Sequence, residues 1–319
     1  MIKLFLSIVI AVFLLIPGMN ARAAESRGPK VVVSIKPLHS LVAGVMEGVG
    51  DPQLLIGRGG SPHGYVLRPS EARLLAEAQL VVWVGPRLEG FLEKPLSTLG
   101  ANARQLVLAE ALESKLLPLR KGGGWDRHVH DHDEQASEPA VHPENDLEGH
   151  DQHLWLDPRL AKQIVEKTAA VLADIDPIHQ QQYQKNAARL KERLDGLHAQ
   201  LETKLAPVRH IPYVVFHDAY QYFEAAYGLN AVGSLTIDPE RTSGARRIQE
   251  IRKKIRALNA RCVFSEPQFE PRLVATVIEG TGAKTGVLDP LGADLTAGPE
   301  SYFVLLNAMA DNLAAGLNP

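Results

Sequence analysis

Short β-branched runs alternate with helically spaced segments along most of the chain. Val31-Val32-Val33-Ser34-Ile35 reads as a buried strand stopped by Pro37, and residues 38–49 carry helical spacing. Further strands are expected at 54–56, 80–84 and 105–108, with helices at 69–78 and 88–99 between them. Asp157-Pro158 is an N-cap followed by a proline at the first helical position, and opens a helix to about residue 173. Asp176-Pro177 repeats the signal. From there to 206, Leu190, Leu194, Leu197, Leu201 and Leu205 keep 4-3-4-4 spacing on one face. Thirty helical residues span about 45 Å, which suits a strut between two domains. A second alternating half follows, with strands at 213–216, 231–235, 261–264 and 285–288. Its helices fall near 219–227, 243–258, 271–282 and 301–316. The pattern predicts an α/β chain of two lobes with parallel-type sheets flanked by helices, at 25–173 and 209–319, bridged by one long helix over 174–208.

Two stretches break the rhythm. Residues 1–24 read as a secretory signal peptide: Lys3 supplies the charge, residues 4–16 are apolar apart from Ser7, and Ala21-Arg22-Ala23 is the cleavage pattern. The run is too short to anchor the chain, because about 20 apolar residues span a bilayer. No cysteine follows it to carry lipid, so export and release in soluble form are expected. Residues 120–152 open on Gly122-Gly123-Gly124 and are rich in acids and histidine, with hardly an aliphatic residue. Such a segment buries too little apolar surface to offset its ordering entropy and reads as a mobile loop.

Charge and cysteine content narrow the function. Against 37 Asp and Glu stand 34 Lys and Arg, a net charge of −3 with no broad basic field, so nucleic acid is not an expected partner. The one cysteine, Cys262, excludes a disulfide within the chain and any multi-cysteine metal site; in its apolar run it reads as a small buried hydrophobe.

The chain holds 12 histidines, unevenly spread. In parallel α/β sheets, ligands bind beyond the carboxyl ends of the strands. His63 lies in the loop after the second strand, His153 at the edge of the acidic loop, and His217 directly after Tyr213-Val214-Val215-Phe216. Asp289 directly follows Gly286-Val287-Leu288. Three imidazoles and an oxygen fill the tetrahedron that zinc prefers. Within the loop, His128, His130, His132, His142 and His150 form an auxiliary set able to hold divalent metal loosely. Glu266 reads as a cap or ion-pair partner, and His39, His179, His198 and His210 as ordinary structural residues. Catalytic patterns are missing: there is no H-E-x-x-H, Gly59-Gly60-Ser61-Pro62-His63 departs from G-x-S-x-G, and the glycines of 280–285 close a helix rather than opening one. A binding protein, not an enzyme, is expected.

Seven segments resemble the zinc-uptake solute-binding proteins of the ZnuA type. They are Ser34-Ile35-Lys36-Pro37-Leu38; Ser61-Pro62-His63-Gly64-Tyr65 with Leu67-Arg68-Pro69-Ser70; Leu80-Val81-Val82-Trp83-Val84-Gly85-Pro86; His153-Leu154-Trp155-Leu156-Asp157-Pro158; Phe216-His217-Asp218-Ala219-Tyr220; Phe264-Ser265-Glu266-Pro267-Gln268-Phe269; and Leu288-Asp289-Pro290-Leu291-Gly292. The resemblance covers the mature chain in order. It implies two lobes with Zn(II) in the cleft between them, held by His63, His153 and His217. Asp289 or water is the fourth ligand, since Pro62 stands where some members carry a glutamate. It further implies a periplasmic monomer that delivers zinc to the membrane permease of an ABC importer. A manganese or iron carrier of the same fold, and a zinc buffer without a transporter, are the alternatives. Some members close a disulfide between the Cys262 position and the C-terminus, where this chain has no partner cysteine.

Overall fold

The computed structural model describes residues 28–57, 59–120, 149–236, 239, 244–269 and 272–318. The expected signal peptide and residues 121–148, with His128, His130, His132 and His142, lie outside the described residues.

The first half runs β1 (Val31–Val33), α1 (Lys36–Met46), β2 (Gln53–Leu54), α2 (Pro69–Glu77), β3 (Leu80–Trp83), α3 (Glu93–Thr98), β4 (Arg104–Val107) and α4 (Leu108–Ala111). Two helices follow, α5 (Pro158–Ile175) and α6 (Gln180–Leu205). The second half is β5 (Tyr213–His217), α7 (Gln221–Tyr227), β6 (Ala231–Thr236), α8 (Ala245–Ala257), β7 (Cys262–Ser265), α9 (Arg272–Ile278), β8 (Lys284–Val287) and α10 (Ser301–Leu317). The strands form two four-stranded sheets, ordered β2-β1-β3-β4 and β6-β5-β7-β8. Every pairing is parallel, so each half repeats one topology.

Several element ends differ from the sequence reading, each for a local reason. Helix α1 begins at Lys36, before Pro37, because a proline in the first turn gives up no intrahelical hydrogen bond. Strand β2 is only Gln53–Leu54, yet the amides of Leu55 and Ile56 still donate to Val33 and Ser34 at 2.9 Å. The single helix expected at 88–99 is a 3-10 turn, Gly90–Leu92, followed by α3. Its start is withheld by Glu89, whose fully buried carboxylate turns back to accept from the Val84 and Gly85 amides at 3.0 and 2.9 Å and from the Ser34 hydroxyl. Burial raises this carboxyl to about 7, against the pull of those donors. Helix α9 stops at Ile278, short of 282, where Gly280 and Gly282 take positive φ. The long helix is 26 residues, capped at each end by a 3-10 turn, Pro177–His179 and Ala206–Val208.

The leucine stripe of α6 is buried as its spacing predicts, together with Tyr183, Asn186 and Ala187. It packs against α5, α1 and α10, so the strut belongs to the core of both halves. Strand β5 shows how the second sheet divides its faces. Tyr213 and Val215 join the large core that runs through α6 and α10, while Val214 and Phe216 join a smaller cluster under α8 and α9. Helix α10 comes flush against β7: a Cβ at Gly316 would stand 3.1 Å from Cys262 Sγ and 2.8 Å from Phe264 Cζ.

Polar ties cross between the halves. The buried Lys36 ammonium donates to the carbonyls of Gly292 and Ala293. Trp155, fully buried, donates from Nε1 to Pro290 O at 2.8 Å, and its own carbonyl accepts from the Tyr302 hydroxyl at 2.7 Å. Among the described residues no helix is long and apolar enough to cross a membrane.

Candidate metal site

His63, His153 and His217 converge from three elements. One ligand nitrogen from each lies within 4.8 Å of the other two. His217 is the last residue of β5, so a rigid strand aims it. His153 opens the 3-10 turn Leu154–Leu156. His63 stands in the loop between β2 and α2, where its amide meets the Ser61 hydroxyl at 3.3 Å. His153 and His217 are buried and His63 partly so.

Two carboxylates orient two of the rings. Asp151 Oδ1 accepts from the His153 amide at 2.9 Å and meets its Nδ1 at 2.7 Å. Glu266 Oε1 meets His217 Nδ1 at 2.6 Å. With each Nδ1 donating to an ionised carboxylate, both Nε2 lone pairs face the centre, and they stand 3.4 Å apart. Two lone pairs at that distance repel unless a proton or a metal cation lies between them. Burial pushes Glu266 up to about 8 in the metal-free chain; a divalent cation beside His217 favours its ionised form and so the Nδ1–H tautomer. Burial, and then the two neighbouring imidazoles, drive His63 down to about 2. It is therefore neutral, as a metal ligand must be.

The cavity that these side chains share with Trp155, Gln268 and Phe269 has a volume of about 10 Å³. That is room for one water-sized body, not for an organic substrate.

Asp151 belongs to a neck in which residues 117–119 pair with 149–151. Pro118 and His150 form an antiparallel bridge, flanked by Leu119 N to Gly149 O at 2.7 Å and Asp151 N to Leu117 O at 2.8 Å. Of the expected loop 120–152, residues 149–151 are held by these hydrogen bonds, which satisfy their backbone. The Tyr222 hydroxyl fastens the neck to α7, accepting from Leu117 N at 2.9 Å and donating to Asp151 O at 2.8 Å. Arg120 pairs with Asp218 and Glu224 beside it. His150 is held in this bridge, apart from the three converging rings.

Asp289 lies outside the group of converging ligand atoms. Its Oδ1 accepts from the amides of Leu291 and Gly292 at 3.0 and 2.9 Å and from Gln268 Nε2 at 2.8 Å, and its Oδ2 accepts from the Ala293 amide. Glu266, read from sequence as a cap or ion-pair partner, orients a histidine. Asp151 and Gln268 were not singled out at all. The signal for Asp151 was a carboxylate two residues before a candidate ligand histidine, close enough to bond its ring.

Two effects should be measurable here. Asp151→Ala and Glu266→Ala should each weaken zinc binding by about 10–100-fold while leaving three imidazoles in place, as read by chelator competition. In the zinc-free chain, His63 has a folded pKa of about 2 against 6.5 unfolded, so the unfolded chain takes up the proton first. The stability it confers is full above pH 6.5 and declines as pH falls towards 2. Between pH 7.5 and 5 the wild type should lose about 2 kcal/mol more than His63→Gln in urea unfolding. Equal losses in the two proteins would show that His63 is not buried in its neutral form.

Two parallel-sheet lobes sharing a long helix, with three imidazoles converging from a strand end, a loop and a 3-10 turn, define the class of metal-binding solute-binding proteins. The chain belongs to the ZnuA family: residues 31–316 match the family described as zinc-uptake complex component A, periplasmic. It is 46% identical over 311 residues to the high-affinity zinc uptake system protein ZnuA of Brucella abortus (strain 2308), covering 92% of each chain. To the ZnuA of Yersinia pestis it is 36% identical over 295 residues, covering 90% of this chain and 91% of that one. A crystal structure of ZnuA superposes with a TM-score of 0.73 at 24% identity, covering 91% of this chain and 100% of that one. The periplasmic zinc binding protein TroA of Treponema pallidum gives 0.76 at 21%, covering 92% and 100%. These two structures share the fold.

Proposed function

We propose that the chain is a periplasmic carrier that takes Zn(II) as cargo on His63, His153 and His217, with one oxygen completing the tetrahedron, and hands it to the permease of an ABC importer. The observation that carries this reading is the convergence of three imidazole nitrogens within 4.8 Å, two of them oriented by buried carboxylates. The names of the relatives support zinc uptake as the process. The cavity supports a carrier over a metallohydrolase, because it leaves no room for a substrate beside the ion. Manganese and iron carriers favour more oxygen ligands than this nitrogen set offers. Residues 1–24 direct export, and the released chain works as a monomer. His128, His130, His132 and His142, which lie outside the described residues, collect zinc as an auxiliary set.

Titration of the metal-free chain with zinc and manganese in parallel tests the reading. One tight zinc site is expected, from which manganese is displaced. A chain that prefers manganese sinks it. A deletion confined to 121–148, which spares the neck, should keep that site and slow growth only at low zinc. Growth at low zinc that depends on the chain but on no permease would favour the buffer reading.

A further inference from the structure

Gln268 lines the cavity, and the two ends of its amide are used unequally. Its Nε2 donates to Asp289 Oδ1 at 2.8 Å. This contact also fixes which end is which, since an amide oxygen against a carboxylate oxygen would repel. Its Oε1 is buried and has no hydrogen-bond partner among the described residues. A buried acceptor left without a donor is costly, so the group it serves is to be sought in the cavity it lines. That cavity is lined by the three imidazoles as well.

Asp289 is the carboxylate that the strand-end rule offers to the metal, yet four donors occupy it. Three are backbone amides of its own turn, and the fourth is Gln268. Withdrawing it to bind an ion would strand all four.

We infer that Gln268 sets the fourth position of the zinc site, its Nε2 holding Asp289 off the ion and its Oε1 accepting a hydrogen bond from a water bound there. This rests on the zinc-carrier reading above. Water on a divalent cation is a strong donor, so its hydrogen bond to an amide oxygen is charge-assisted. The ion then meets three nitrogens and one neutral oxygen, a set that suits zinc and leaves manganese short of oxygen ligands. Gln268 is a positioning residue: it acts on the ion through the water and through Asp289.

The test combines a high-resolution crystal structure of the zinc-loaded wild-type chain with zinc titration and cobalt(II) absorption spectra of Gln268→Leu and Asp289→Asn. The structure should place one water on zinc within hydrogen-bond distance of Gln268 Oε1, with Asp289 still on its turn. Gln268→Leu should raise the zinc Kd about tenfold or more and change the cobalt spectrum, a change that a purely structural role would not cause. Asp289 seats the amide of Gln268 without meeting the water, so Asp289→Asn should change that spectrum less than Gln268→Leu does. A carboxylate oxygen of Asp289 on the zinc, or a cobalt spectrum altered by Asp289→Asn and not by Gln268→Leu, overturns the inference and leaves the carrier reading standing. Zinc retained in His63→Ala at wild-type affinity overturns both. If Gln268→Leu does not fold, the wild-type structure decides.

Discussion

Replacing His217 with alanine should raise the zinc Kd by well over 100-fold, and more than either carboxylate truncation beside the site. Loss of an orienting partner costs about 10–100-fold, because the ligand remains and only its aim is relaxed. Loss of His217 takes away a nitrogen that the end of β5 holds rigidly, and it also strips Glu266 of the ring it bonds at 2.6 Å. The buried carboxyl then has less to offset its desolvation, so the zinc-free variant should also melt below wild type. His63→Ala separates the two effects. His63 sits on a loop, and among the described residues no carboxylate bonds its ring, so its truncation should cost affinity with little change in melting. Calorimetric titration alongside thermal unfolding reads both quantities. A fall of less than tenfold in His217→Ala would remove it from the ligand set.

Trp155→Ala should be among the most destabilising single changes, by about 3–5 kcal/mol. The side chain is fully buried, and the cavity it would leave lies where the two halves meet. Its indole donates to Pro290 in the turn after β8, and its ring lies 5.3 Å from that of His153. Truncation therefore removes packing and unseats a ligand together. Trp155→Phe keeps most of the volume but leaves Pro290 O without its donor, at about 1–3 kcal/mol. Urea unfolding of the zinc-free variants measures both. A Trp155→Ala loss below 1 kcal/mol would mean that the halves do not share this core. Zinc should recover part of the deficit, since an ion that binds only the folded chain stabilises it by mass action.

The strands were legible because β-branched runs are short and bounded by glycine, proline and charge. Helix α6 was legible because five leucines repeat on one face. Where the reading of ends failed, a side chain had replaced a backbone partner. Glu89 looks like a helix residue in sequence, and only its burial reveals that it caps two amides of the preceding turn. His217 was legible because a strand end in a parallel sheet is a position that sequence can mark, whereas His63 in its loop and His153 at its 3-10 turn were marked by the uneven spread of histidine and by the segments that carry the family resemblance. Their carboxylate partners were not, since the role of Asp151 or Glu266 depends on where an oxygen comes to rest. Asp289 carried its own warning: Asp-Pro-Leu-Gly is a turn sequence, and an aspartate that opens a turn commonly spends its oxygens on the amides that follow.

The close approach of α10 to β7 has a consequence for how the chain matures. Where some relatives are implied to join these elements covalently, a glycine here lies against the Cys262 sulfur, and burial pushes that thiol up to about 12. A thiol held protonated and enclosed is a poor nucleophile and exchanges slowly with disulfides. Folding of this lobe therefore includes no oxidation step, needs no oxidase or isomerase, and proceeds equally well in a reducing compartment. A phosphine reductant should leave both the melting temperature and the refolding rate unchanged.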